Sequence, residues 1–134
     1  MTQQFFLPML PPTVTAQERR VVKGKGGKLL FFDTPELADA RAKLTAHLGR
    51  HRPHKPYLNG VRLTVKWLFT VDKNHSDGEY KLTKPDTDNL QKLLKDIMTR
   101  LGYWKDDALV ASEIVEKFYS ETPGIFIKIE ELGS

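Results

Sequence analysis

Residues 84–107 read KPDTDNLQKLLKDIMTRLGYWKDD. Within them Leu90, Leu93, Leu94, Ile97, Met98 and Leu101 recur at i, i+3, i+4, i+7, i+8 and i+11. That period predicts a helix with one buried stripe. Gly102 supplies its stop. The helix begins near Thr87 or Asp88, because Pro85 biases Lys84 towards extended backbone. The polar side carries Lys92, Lys95, Asp96 and Thr99, with Lys92 and Asp96 spaced to pair at i, i+4. One acidic pair, Asp86 and Asp88, precedes the helix, and a second, Asp106–Asp107, follows it.

Residues two apart in extended chain project to one side, which would bring the Asp86 and Asp88 carboxylates together. Close carboxylates repel unless a cation lies between them or one is protonated. A hard divalent ion such as Mg²⁺ resolves the repulsion. Capping and the helix dipole also favour aspartate at a helix start, so one member of the pair needs no functional explanation. Asp106–Asp107 fits a turn equally well. The two pairs start at opposite ends of the helix and meet only if the chain from Tyr103 onward folds back.

Upstream, residues 61–69 alternate cleanly: Val61, Leu63, Val65, Trp67 and Phe69 face the core, while Arg62, Thr64 and Lys66 face water. Before this strand comes a basic linker, Arg50-His51-Arg52-Pro53-His54-Lys55-Pro56. His47, His51 and His54 have no cysteine or acid nearby to complete a zinc tetrahedron. A helix starts at Thr34 as N-cap with Pro35 in the first helical position, buries Leu37, Ala40, Leu44 and Leu48, and is closed by Gly49. Residues 4–10 read as a first strand ended by Pro11–Pro12, and 29–32 as a strand returning from a hairpin. The hairpin, QERRVVKGKGGK at 17–28, holds five basic residues and three glycines. Arg19, Arg20, Lys23, Lys25 and Lys28 on such a ribbon suit a phosphate backbone, although a solvated surface loop has the same composition.

Downstream, 109–119 reads as a strand with Val110, Ile114 and Phe118 inward. Glu121-Thr122-Pro123-Gly124 reads as a type II turn, and Ile125, Ile127 and Ile129 as the inward face of a last strand. Together these make a C-terminal antiparallel hairpin. The whole is one α+β domain over 1–134, a small mixed β-sheet packed with two main helices.

With 134 residues the chain can bury an ordinary core, and with no cysteine it has no disulfide, zinc finger or thiol nucleophile. No apolar run approaches the roughly 18 residues of a membrane span. MTQQFFLPMLPP is too short in its apolar part for a signal peptide, so a cytoplasmic protein without membrane partners is expected. Charge is divided: residues 1–66 carry 12 Lys/Arg against 4 Asp/Glu, and 67–134 carry 9 against 13. A basic half suits a polyanion; the acidic half opposes one unless its carboxylates hold cations.

The segment DTDNLQKLLKDIMTRLGYWKDDALV resembles the signature of the RusA family of Holliday-junction resolvases, small endodeoxyribonucleases of bacteria and prophages. The family pattern is Asp-x-Asp-Asn-Leu-x-Lys entering a helix, then Gly, two aromatics, one residue and Asp-Asp before a strand. Asp86, Asp88, Asn89, Leu90, Lys92, Gly102, Tyr103, Trp104, Asp106 and Asp107 match it without a gap. The proline pair, basic hairpin and preceding helix stand in the family order. The resemblance implies a Mg²⁺ site (or Mn²⁺) on Asp86, Asp88 and Asp107, with Lys92 required for cleavage. It also implies a homodimer and branched DNA, the four-way junction, as substrate. Pro85 stands where the family often has a basic residue, which leaves Lys84 and Lys81 as the cations at this point. Tyr103 and Trp104 could stack on bases, but the adjacent stripe favours core packing. Two other readings compete: a non-catalytic DNA-binding module, and a metal-dependent hydrolase of small phosphate esters.

Overall fold

The computed structural model describes residues 1–15 and 20–133, with backbone alone at 20–22 and 30–32. Residues 17–19 of the basic ribbon, Arg19 included, lie outside the described residues. In chain order the elements are β1 (Thr2–Leu7), β2 (Arg20–Lys23), β3 (Leu29–Phe32), α1 (Pro35–Gly49), β4 (Val61–Thr70), α2 (Thr87–Arg100), β5 (Val110–Ser120) and β6 (Gly124–Glu131). Four strands form one sheet in the order β1-β6-β4-β5, while β2 and β3 form a separate antiparallel hairpin. Within the sheet β4 and β5 are parallel, and the other pairs are antiparallel. This is the expected α+β fold, a mixed sheet with two main helices.

Parallel neighbours cannot be joined by a tight turn and need a long crossover. Here the crossover is α2, so the helix that carries the acidic motif also lies against the strand that follows it. Its stripe is buried as expected, Leu90, Leu93, Leu94, Ile97 and Met98 all falling at 3% exposure or less. A Schellman motif ends it: Gly102 has φ 86°, its N–H donates to the Thr99 carbonyl at 3.1 Å, and Tyr103 N–H donates to Met98 at 3.0 Å. For α1, Thr34 Oγ1 accepts from Leu37 N–H at 3.2 Å, with Pro35 next to it. The three leucines of α1, Leu37, Leu44 and Leu48, join the inward face of β4 and the α2 stripe in one buried cluster.

The C-terminal half differs from the sequence reading in three ways. First, β5 and β6 do not form a hairpin: β4 lies between them, pairing parallel with one and antiparallel with the other. Every inward residue of β4 is buried, so both its edges must be covered to satisfy its backbone, and a β5–β6 hairpin would leave one open. Second, residues 121–124 are not a type II turn with Gly124 at positive φ, since Gly124 is the first residue of β6 and lacks positive φ. The glycine is there for space. A Cβ would run into the Phe6 ring and stand 2.7 Å from the Leu7 carbonyl oxygen.

Third, β5 has the opposite parity to that expected beyond its first residue. The register slips between Val61 and Arg62, after which Val65 pairs with Val115, Trp67 with Lys117 and Phe69 with Tyr119. The inward row is therefore Glu113, Val115, Lys117 and Tyr119. Val110 packs on the core as expected, but Ile114 is 45% exposed and Phe118 stacks on Tyr80 at 4.7 Å on the outer face. The first strand also ends earlier than the expected 4–10, at Leu7.

Candidate active site

Helix α2 begins at Thr87 with Asp86 as N-cap in extended conformation (φ −73°, ψ 148°). The Asp86 backbone carbonyl accepts from Leu90 N–H at 3.1 Å, but its side chain makes no capping hydrogen bond. Its carboxylate is thus left exposed for other partners. Asp88 falls in the first turn, where unsatisfied backbone N–H groups favour a negative charge. Lys92 follows one turn later on the same side.

After Gly102 the chain does fold back. Tyr103 and Trp104 are buried at 0% and 1% exposure, which makes them core residues rather than stacking platforms. Tyr103 Oη donates to the Leu48 carbonyl at 2.6 Å, and Trp104 Nε1 donates to Thr99 Oγ1 at 2.8 Å. Burial raises the Tyr103 pKa far above the ordinary phenol value. Asp106 caps the next turn by accepting from Ala108 N–H at 2.8 Å, in keeping with the turn expected at Asp106–Asp107. That turn is a single 3-10 turn beginning at Asp107 and leading into β5.

The return places Asp107 beside Asp88 and Lys92. All three line a cleft of about 550 Å³ between α2 and β5, with Thr87, Gln91, Lys95, Glu113 and Val115 completing the walls. Asp86 is not among the lining residues. Helical geometry from Thr87 onward replaces the extended alternation that would have set it beside Asp88, and its charge acts instead on the Lys117 ammonium. Among the described residues, Asp88, Asp107 and Lys92 make no side-chain hydrogen bond or ion pair. Asp96 turns to Arg41 on α1 (4.0 Å) rather than to Lys92.

Three polar cleft residues were not among the expected site residues: Gln91, Glu113 and Lys95, the last read only as part of the polar side of the helix. Gln91 is 3% exposed and bridges core to cleft, accepting from Trp67 Nε1 at 2.9 Å and donating to Glu113 Oε2 at 3.0 Å. Lys95 Nζ donates to Glu113 Oε1 at 2.6 Å. Assigning Val115 rather than Ile114 inward would have brought Glu113 to this side. Gln91→Leu strands the buried Trp67 N–H and is expected to cost about 1–3 kcal/mol, read from the urea midpoint.

Carboxylate oxygens are the donors that a hard divalent cation takes. In kind, the acids at this cleft fit such an ion. They are not a closed cage: among the described residues no group of three or more His, Cys, Asp or Glu is placed to hold a metal. His51 stacks on Phe5 at 4.3 Å, a packing role. Of the basic residues expected at nucleic acid, Lys23, Lys25, Lys28 and Lys84 are exposed, and Arg20 is described in its backbone alone, within β2. Among the described residues no helix is long and apolar enough to cross a membrane.

Residues 10–130 match the family model described as Endodeoxyribonuclease RusA. The chain belongs to the RusA family. It is similar to the crossover junction endodeoxyribonuclease RusA of Lactococcus phage r1t, 30% identical over 96% of this chain and 96% of that protein. It is also similar to the uncharacterized protein YqaN of Bacillus subtilis (strain 168), 34% identical over 82% of this chain and 84% of that protein. The RusA match runs through both walls of the cleft, from Asp88 and Lys92 to Asp107 and Glu113.

Proposed function

We propose that this RusA-family chain, as one domain over 1–134, is a structure-selective endodeoxyribonuclease that resolves four-way DNA junctions by paired phosphodiester hydrolysis. The observation that carries the reading is the cleft itself: Asp88 in the first turn of α2 and Asp107 in the turn beyond its end share it with Lys92, which is unpaired among the described residues. Asp86, Asp88 and Asp107 would hold Mg²⁺, with Mn²⁺ as a substitute. Such an ion, when bound, polarises the scissile phosphate and eases ionisation of water.

The remaining work falls to the chain's own groups. Lys92 opposes the charge that grows on the phosphate oxygens or the leaving oxygen. The N-terminus of α2, aimed at the cleft, favours a phosphate there. Asp106 is occupied in its cap and shapes the turn that presents Asp107. Arg19, Arg20, Lys23, Lys25, Lys28 and Lys84, with the basic linker at 50–56, hold the DNA backbone, so junction binding weakens steeply with salt. Two symmetric incisions need two sites, which a two-fold homodimer supplies. A cytoplasmic location agrees with a DNA substrate.

The test is a four-way junction labelled on each strand and incubated with the protein and Mg²⁺. Paired incisions at symmetric positions are expected, with linear duplex left intact. Absence of incision would sink the proposal, and equal cutting of duplex would mark a general nuclease.

A further inference from the structure

Strand β5 reaches both ends of the candidate site. Asp107 stands in the turn that leads into it, and Glu113 in its first half. Along its later half the free edge is bonded by residues 78–81. Gly78 N–H donates to Tyr119 O at 2.9 Å, Tyr119 N–H to Glu79 O at 2.8 Å, and Lys81 N–H to Lys117 O at 2.9 Å. The Lys117 side chain then extends the strap. Its Nζ donates to Thr83 O at 2.7 Å and to Pro85 O at 2.8 Å. The second of these carbonyls belongs to the peptide that joins Pro85 to Asp86.

Sheet packing alone does not call for a lysine here. Position 117 lies in the inward row opposite Trp67, between Val115 and Tyr119, positions that elsewhere in the sheet are filled by apolar side chains. The lysine stands where its donors grip two backbone carbonyls just ahead of a carboxylate. Two bonds from one side chain restrict both the position and the rotation of that segment. The Asp86 side chain itself makes no capping bond that would do so.

We propose that Lys117 is a positioning residue, holding the Pro85–Asp86 peptide against β5 and so limiting how far the Asp86 carboxylate has to swing to join Asp88 and Asp107 on one divalent cation. The inference rests on the reading of Asp86 as a metal ligand given above.

The experiment measures Mn²⁺ binding to the full chain without DNA, by the loss of the free-ion EPR signal, for wild type, Lys117→Met, Lys117→Arg and Asp86→Asn. Lys117→Met is expected to weaken Mn²⁺ binding at least about tenfold, the range typical of groups that orient ligands. Lys117→Arg still donates to both carbonyls and stays within about threefold of wild type. Junction binding in EDTA is unchanged in both variants. In cleavage, Lys117→Met needs a correspondingly higher Mg²⁺ concentration for half-maximal rate.

Wild-type Mn²⁺ affinity in Lys117→Met, or equal losses in the Met and Arg variants, overturns the inference. Should Lys117→Met fail to fold, Lys117→Gln takes its place: the shorter amide cannot reach both carbonyls, and wild-type affinity in that variant overturns the inference as well. Asp86→Asn separates the two levels. If it binds Mn²⁺ like wild type, the ligand reading itself falls. If it binds weakly while Lys117→Met binds normally, only the role of Lys117 falls.

Discussion

Asp88→Asn lowers paired cleavage of a four-way junction by at least about two orders of magnitude while the junction stays bound. The size of the effect follows from what the side chain does and does not do. Asp88 is exposed in the first turn of α2 and, among the described residues, has no hydrogen bond or ion pair. Replacing it by the isosteric amide therefore forfeits only its interaction with the helix dipole, about 0.3–1 kcal/mol, and the protein remains folded. The same change removes a charged oxygen donor from a cleft it shares with Asp107 and Lys92. Loss of a full ligand charge costs several kcal/mol in the stabilisation of a phosphoryl transition state. Binding moves the other way, since a negative charge facing phosphate has gone, so affinity in EDTA is retained or increased. Gel-resolved incision and mobility-shift binding on the same preparation check both halves. Cleavage at the wild-type rate would mean that the acids only cap and solvate, as in a DNA-binding module without catalysis. Hydrolysis of small phosphate esters by a wild-type protein inert towards junctions would favour the remaining alternative.

The motif was legible because it is local. Apolar spacing over 90–101, the glycine at 102 and the cap at Thr34 each act within a few residues, and each appears where expected. The strand with five alternating inward residues was equally plain. What depends on competition between distant segments was not legible. Whether β6 pairs with β5 or inserts beside β4 is decided by the edges of β4, and nothing in residues 121–131 records that. The parity of β5 hangs on a slip opposite Val61 and Arg62, one residue wide, which moves Ile114 outward and Glu113 inward. With that slip unseen, Glu113 was not placed on the cleft side and the Gln91–Glu113–Lys95 network stayed hidden. Asp86 shows the finer limit. Extended and helical backbone aim a side chain differently, and the change of conformation falls between Asp86 and Asp88, at Thr87. Trp104 was the reverse case: an aromatic beside acids can stack on a base, but its indole N–H is already bonded to Thr99 in the core.

Gly124→Ala is expected to destabilise the fold by about 1–3 kcal/mol, a cost typical of overpacking, although alanine is intrinsically the better strand residue by roughly 0.5–1 kcal/mol. Gly124 has ordinary φ, so backbone conformation gives it no reason to be glycine. The reason is contact. Its missing Cβ leaves room for the Phe6 ring, and the Leu7 carbonyl oxygen lies 2.7 Å from where that atom would be. A phenylalanine ring can swing away, whereas a carbonyl held in the β1–β6 ladder cannot move without breaking the Leu7–Ile125 register. Thermal melting should fall by on the order of 5–10 °C. Combining the change with Phe6→Ala divides the two contributions. In that background the added methyl should cost less by at least about 0.5 kcal/mol, because the ring no longer opposes it, yet not zero, because the carbonyl still does. An unchanged or raised melting temperature for Gly124→Ala would show that β1 shifts freely on β6. Cleavage measured well below the transition should stay at the wild-type rate, since β4 lies between this contact and the β5 wall of the cleft. A loss of activity without loss of stability would instead mean that the β1–β6 edge takes part in holding the junction.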